Sequence, residues 1–141
     1  MVKKTLRFLL LAVAAMSIIV PAYLWLTLLS PWGYNPPPGL LAIDPTRTHD
    51  VFVYGTLRHP LVRWLVIGRD PETQPASLAG YRKTGLDLEA DPGNKVSGEI
   101  LRVSADELKR LDRYERLGIR YERVEIQLSD GITAWVYRRI H

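Results

Sequence analysis

No cysteine occurs among the 141 residues, which excludes a disulfide framework, a thiolate zinc site and a cysteine nucleophile. Histidine is scarce: His49, His59 and His141 are scattered without metal-ligand spacing. There is no Gly-x-Ser-x-Gly elbow, no phosphate-binding glycine loop and no His-Glu-x-x-His pair. A metal-dependent or triad hydrolase is therefore not expected. Excess charge is missing too, once it is located. The formal net charge is +4, but Lys3, Lys4 and Arg7 supply three of the 19 bases within the first seven residues, so 16 bases face 15 acids in the rest. The folded part thus lacks the electrostatic footprint of a nucleic-acid binder. A charged fraction of 24% is too moderate for a disordered polyelectrolyte, and the length suits one domain.

Charge is wholly absent from residues 8–29. As a helix rising 1.5 Å per residue, that stretch covers about 30 Å, the hydrocarbon thickness of a bilayer. Trp25, Trp32 and Tyr34 lie near its far end, where amphipathic rings favour the interface, and few bases follow before Arg47. The positive-inside rule then places the N-terminus in the cytoplasm and everything after about residue 30 outside it. Pro21 interrupts the run, but proline is tolerated in membrane helices. A secretory signal cut after Ala22 is the competing reading; the apolar run continues through residues 23–29, which favours an uncleaved anchor. A buried core helix is disfavoured, because the stretch is apolar on all faces and the rest of the chain is too small to wrap it. Residues 1–30 thus read as a transmembrane anchor and residues 31–49, rich in proline, as an extended stalk. Residues 50–141 form a domain with a single small core.

In that domain Val51, Phe52, Val53 and Tyr54 make a β-branched and aromatic run ended by Gly55, the pattern of a short buried strand entering a turn. Residues 61–67 are apolar and fit either a short helix or a strand. Asp91, Pro92, Gly93 and Asn94 read as a turn before a strand over residues 96–103. Residues 121–128 alternate, with Val124, Ile126 and Leu128 on one face, and Ser129, Asp130 and Gly131 join them to a partner strand over residues 132–137, a β-hairpin. A helix starting at about residue 105 is predicted by the capping-box spacing of Ser104 and Glu107 and by Val103 placed to pack on Leu108. On it Leu108, Leu111 and Glu115 share one stripe, so a carboxylate joins an apolar face. Arg110, Arg113 and Arg116 fall elsewhere and read as solvated charge.

Two features carry possible chemistry. Gly55 lets backbone approach a ligand, and consecutive exposed amides there can form a nest for a carboxylate. Glu115 on an apolar stripe is expected to have a raised pKa and to suit proton transfer near neutral pH. The bland alternative for each is an ordinary turn and an edge glutamate that leans into solvent or pairs with an arginine.

Residues 51–58, followed by Leu111, Asp112, Arg113, Tyr114 and Glu115 and then by Tyr121, Glu122 and Arg123, resemble the gamma-glutamylcyclotransferase-like superfamily, in its gamma-glutamylamine cyclotransferase branch. The likeness extends from Asp50 to Arg138 and includes Val96, Ser97, Gly98, Glu99 and Ile100. It implies an α+β fold, a small mixed β-barrel with flanking helices. It also implies that Tyr54, Gly55, Thr56 and Leu57 hold a glutamyl head group and that Glu115 is general acid and base. The implied reaction is intramolecular aminolysis of a γ-glutamyl amide, releasing 5-oxoproline and an amine or amino acid, without metal or cofactor. Tyr121 and Tyr137 are candidates for lining the cavity, or packing residues. The implied partners are a small γ-glutamyl substrate and the membrane, with no nucleic acid. The alternative is a noncatalytic, membrane-tethered module that binds a carboxylate-bearing ligand or a protein partner.

Overall fold

The computed structural model describes residues 1–141, which divide into two compact units, Met1–Asn35 and Pro36–His141. In the first, helix α1 (Val2–Leu28) runs unbroken past Pro21 and buries none of its residues. It is long and apolar enough to cross a membrane.

The second unit is built on strands β1 (His49–Val53), β2 (Thr73–Thr84), β3 (Asp87–Val103), β4 (Tyr121–Gln127) and β5 (Thr133–Arg139). With them come helices α2 (Pro60–Ile67) and α3 (Ala105–Tyr114). The sheet order is β2-β3-β1-β5-β4. β1 is central, antiparallel to β3 and parallel to β5. A strand in that position is covered on both faces and needs a continuous apolar run. Val51, Phe52 and Val53 supply it, each at most 3% exposed. Phe52 and Tyr54 join Leu78, Val96, Ile100, Leu128 and Val136 in one core cluster. On the other face Val51 stands opposite Leu101. Val103, and Leu108 and Leu111 of α3, are equally buried.

This is the α+β class with a mixed sheet and flanking helices that the resemblance implies. The sheet does not close through a continuous ladder, because β2 and β4 are unpaired edges. They are linked instead through the β4–β5 turn, where the Ser129 amide donates to the Ser77 carbonyl at 3.0 Å. Gly98 on β3 shows how tightly the sheet is wound: a Cβ there would lie 2.3 Å from the Val53 carbonyl oxygen and 2.7 Å from the Phe52 ring.

The ambiguous segment after β1 is a helix. His59 caps it, Nδ1 accepting from the Leu61 amide at 3.2 Å, Pro60 takes the first turn, and Gly68 at φ +85° ends it. α3 carries the expected capping box: Ser104 Oγ accepts from the Glu107 amide and Glu107 Oε1 from the Ser104 amide. Its far end is a Schellman turn, with Leu117 N donating to Asp112 O and Arg116 N to Arg113 O. Arg116 takes the left-handed position at φ +52° that glycine usually fills, at a cost of about 1 kcal/mol.

Two expectations are corrected. Residues 91–94 do not reverse the chain; they lie within β3 as a bulge opposite Gly80, where the register shifts. Gly80 sits at φ +84°, which absorbs the bulge, and the reversal comes at Gly85 and Leu86 between β2 and β3. Arg110 is not purely solvated charge, since its Nη1 donates to the Ile67 carbonyl at 2.9 Å and so caps the end of α2.

Candidate functional site

β1 delivers Tyr54 to the end of the core, where its hydroxyl donates to the Tyr137 carbonyl at 2.6 Å. Gly55 then turns the chain into a single 3₁₀ turn, Thr56–Arg58. The Gly55 and Thr56 carbonyls accept from the Arg58 and His59 amides, each at 3.1 Å. As the first donors of a helical turn, the N–H groups of Thr56 and Leu57 have no carbonyl behind them to bond. Two adjacent unspent donors suit a carboxylate.

α3 brings Glu115 to the same region. At the helix end the Thr56 and Tyr114 hydroxyls lie 3.0 Å apart, tying the turn to the residue before Glu115. Burial pushes the Glu115 carboxyl up to about 7. Its charge in turn helps raise the phenols of Tyr54, Tyr121 and Tyr137, for each of which burial is the largest cause. Glu115 therefore acts electrostatically on all three phenols. No arginine pairs with Glu115, so the edge ion pair of the bland reading is absent. The tip of the β2–β3 hairpin closes the other side. Tyr121 donates to the Leu86 carbonyl at 3.1 Å, and the Leu86 side chain lies 3.6 Å from where a Cβ on Gly55 would sit.

Sequence reasoning missed the buried network beneath Glu115. Asp112, one helical turn earlier, accepts from Arg123 Nε at 3.0 Å and from the Tyr137 hydroxyl. Tyr137 is buried, so its phenol supports α3 from within. Arg123 also donates to the Leu41 carbonyl at 3.2 Å and stacks over Trp135 at 4.3 Å from the ring centre. Its Nη1 is buried without a hydrogen bond. Burial raises the Asp112 carboxyl against the opposing pull of Tyr137 and Arg123. Asp87, at the start of β3, goes the other way. Burial opposes its ionisation, but the Leu88 and Arg139 amides and His141, 2.7 Å away, hold its carboxyl below the usual range. Asp112 and Arg123 fall within motifs already visible in the sequence, but nothing local signals that they pair.

The assembly brings together a carboxyl raised to about 7 by burial and, on the turn tied to the preceding tyrosine, two amide donors with no backbone partner. No three His, Asp or Glu side chains cluster as a metal site.

Residues 51–140 match the family described as gamma-glutamyl cyclotransferase, AIG2-like. Among curated relatives, AIG2-like protein C of Arabidopsis thaliana is 34% identical over 89 residues, 58% of this chain and 52% of that protein. A candidate gamma-glutamylcyclotransferase of Vibrio cholerae serotype O1 is 37% identical over 101 residues, 63% of this chain and 80% of the relative. The chain thus spans about half the length of the plant relatives it matches. A solution structure from Arabidopsis thaliana superposes with a TM-score of 0.59 at 30% identity, covering 70% of this chain and 72% of the other. A solved gamma-glutamyl cyclotransferase structure superposes with a TM-score of 0.55 at 18% identity, covering 67% of this chain and 68% of the other, a likeness of fold alone.

Proposed function

The chain belongs to the gamma-glutamyl cyclotransferase, AIG2-like family, and we propose that it converts a γ-glutamyl amide into 5-oxoproline and a free amine or amino acid, with Glu115 as the proton carrier. The supporting observation is the pairing of a carboxyl raised to about 7 by burial with the unspent Thr56 and Leu57 amides, joined through the Thr56–Tyr114 contact. In this reading the amides, with Tyr54 and Gly55 shaping the turn, hold the substrate's α-carboxylate. The α-ammonium then lies at Glu115. The carboxylate removes one proton, the freed amine attacks the γ-carbonyl carbon, and the C–N bond to the leaving group breaks as protons pass to the departing nitrogen. The ring nitrogen keeps one proton and the amine leaves as an ammonium ion, so no water and no net proton is consumed. Holding amine and carbonyl in one molecule at attack distance supplies several kcal/mol of the barrier reduction.

The productive complex carries one mobile proton between Glu115 and the α-amine, and this fixes the pH dependence. kcat/KM should rise as Glu115 ionises near pH 7 and fall as the amine, with a pKa of about 8, loses its proton. A narrow bell with its maximum between these limits is expected for 5-oxoproline release by the full chain in detergent. The assay panel is γ-glutamyl amino acids, γ-glutamyl amines and glutathione. Absence of release across the whole panel rejects the enzymatic reading, and a flat profile rejects Glu115 as the carrier.

For the first unit, the proposal is a single-pass anchor with Lys3, Lys4 and Arg7 in the cytoplasm and the catalytic domain outside it. A reporter active only in the cytoplasm, fused after His141, should be silent; activity there reverses the orientation.

A further inference from the structure

An arginine is an unexpected residue inside α2, whose neighbours Val66 and Ile67 are core. Arg63 is nevertheless only 4% exposed. Burying a guanidinium is costly unless its charge and its donors are matched, and here the matching is specific. Nε donates to Asp70 Oδ1 at 2.7 Å. Nη1 donates to two successive carbonyls of the 3₁₀ turn, Arg58 O at 2.6 Å and Leu57 O at 3.1 Å. Nη1 also lies 3.5 Å from Glu99 Oε2, a buried oxygen that makes no hydrogen bond. The cation therefore meets two carboxylates while its Nη1 is spent on backbone.

Those two carbonyls complete a pattern. The Gly55 and Thr56 carbonyls are already taken by the Arg58 and His59 amides. With Arg63 in place every carbonyl from residue 55 to residue 58 is bonded inward, and the groups left for a ligand are donors. We infer that Arg63 is a positioning residue for the substrate-binding turn: fixed at Nε by Asp70, its guanidinium holds the Leu57 and Arg58 carbonyls inward and keeps the Thr56 and Leu57 amides presented to a substrate carboxylate. The inference deepens the proposed function and rests on that reading of the turn. Lysine cannot replace arginine here. One tetrahedral ammonium has no planar fork with which to serve Asp70 and two carbonyls at fixed angles.

The test compares wild-type full chain with Arg63→Lys and Asp70→Asn, the second weakening the Nε anchor by removing its negative charge, at a half-exposed position away from the turn. Steady-state release of 5-oxoproline is measured across pH, alongside thermal unfolding. For Arg63→Lys, KM should rise about 10- to 50-fold with kcat within about threefold and the acid limb still near 7, because binding geometry is lost while the proton carrier is untouched. Asp70→Asn should raise KM in the same direction by about 3- to 10-fold. An unchanged KM in a folded Arg63→Lys overturns the inference, as does a kcat loss as large as the KM rise. If Arg63→Lys does not fold, Asp70→Asn decides on the same terms. If wild type turns over no substrate, the cyclotransferase reading fails, and Arg63 is then read from 5-oxoproline-induced shifts of the Thr56 and Leu57 amide resonances. Shifts present in wild type and lost in Arg63→Lys support the positioning role; equal shifts in both proteins, or none in either, overturn it.

Discussion

Glu115→Gln is expected to slow cyclisation by about 10²- to 10⁴-fold while leaving ligand affinity within about threefold, since the proton carrier goes and the turn amides stay. The same substitution should make the protein more stable at neutral and alkaline pH. The folded carboxyl titrates at about 7, above its unfolded value of about 4.3. A carboxyl raised on folding leaves the native state binding more protons than the unfolded state between those two pH values, so stability falls as pH rises through the window. The full cost applies above pH 7. Glutamine has no such cost. Discounted for the partial exposure of the carboxylate, the gain in Glu115→Gln is on the order of 2 kcal/mol at pH 8, shrinking to nothing near pH 4. Loss of activity joined to a gain in stability is the signature of a group held in an unfavourable ionisation state for use. Urea unfolding at pH 8 and pH 4.5, together with turnover, reads both effects. A variant that turns over at the wild-type rate removes Glu115 from the mechanism, and one that is destabilised at pH 8 shows that the carboxylate is not strained by burial.

What was legible in the sequence was local. The capping box at Ser104 and Glu107, the apolar run of β1 and the β4–β5 hairpin are each specified within a few residues, and each forms at its expected place. Helical geometry also put Glu115 on the stripe of Leu108 and Leu111, both fully buried. β2 was illegible for a physical reason. It is an edge strand carrying Pro75, and Leu78 alone along it is fully buried, so no alternation marks it. Consequently the hairpin tip at Leu86, which helps enclose the site, had no signal either. Arg63 was hidden by its apolar neighbours, since periodicity cannot tell a buried cation with partners from an exposed one. The pairing of Asp112 with Arg123 and Tyr137, 11 and 25 residues away, exists only once α3 lies against β4 and β5.

That buried trio is where the domain should be most fragile. The Arg123 side chain is 1% exposed and that of Asp112 10%. Arg123→Met keeps most of the stem volume beside Trp135 but removes the charge that faces Asp112 and the stacking over the indole. It leaves a buried carboxylate with the Tyr137 hydroxyl as its only side-chain donor. Breaking one side of a buried pair in this way costs about 3–5 kcal/mol, a large share of the stability of a domain this size. The pH dependence identifies the cause. Burial already raises the Asp112 carboxyl with Arg123 present, and without the arginine it must rise further. Stability held when Asp112 is protonated is then lost as pH climbs through the higher folded pKa. The destabilisation by Arg123→Met should accordingly be greater at pH 8 than at pH 5, by about 1–2 kcal/mol. In Asp112→Asn/Arg123→Met much of the loss should be recovered, because no buried charge is left unpaired. Urea unfolding of the three proteins at both pH values measures this. A cost that is equal at pH 5 and pH 8 would place the arginine's contribution in packing and stacking, with Asp112 neutral in the native state throughout.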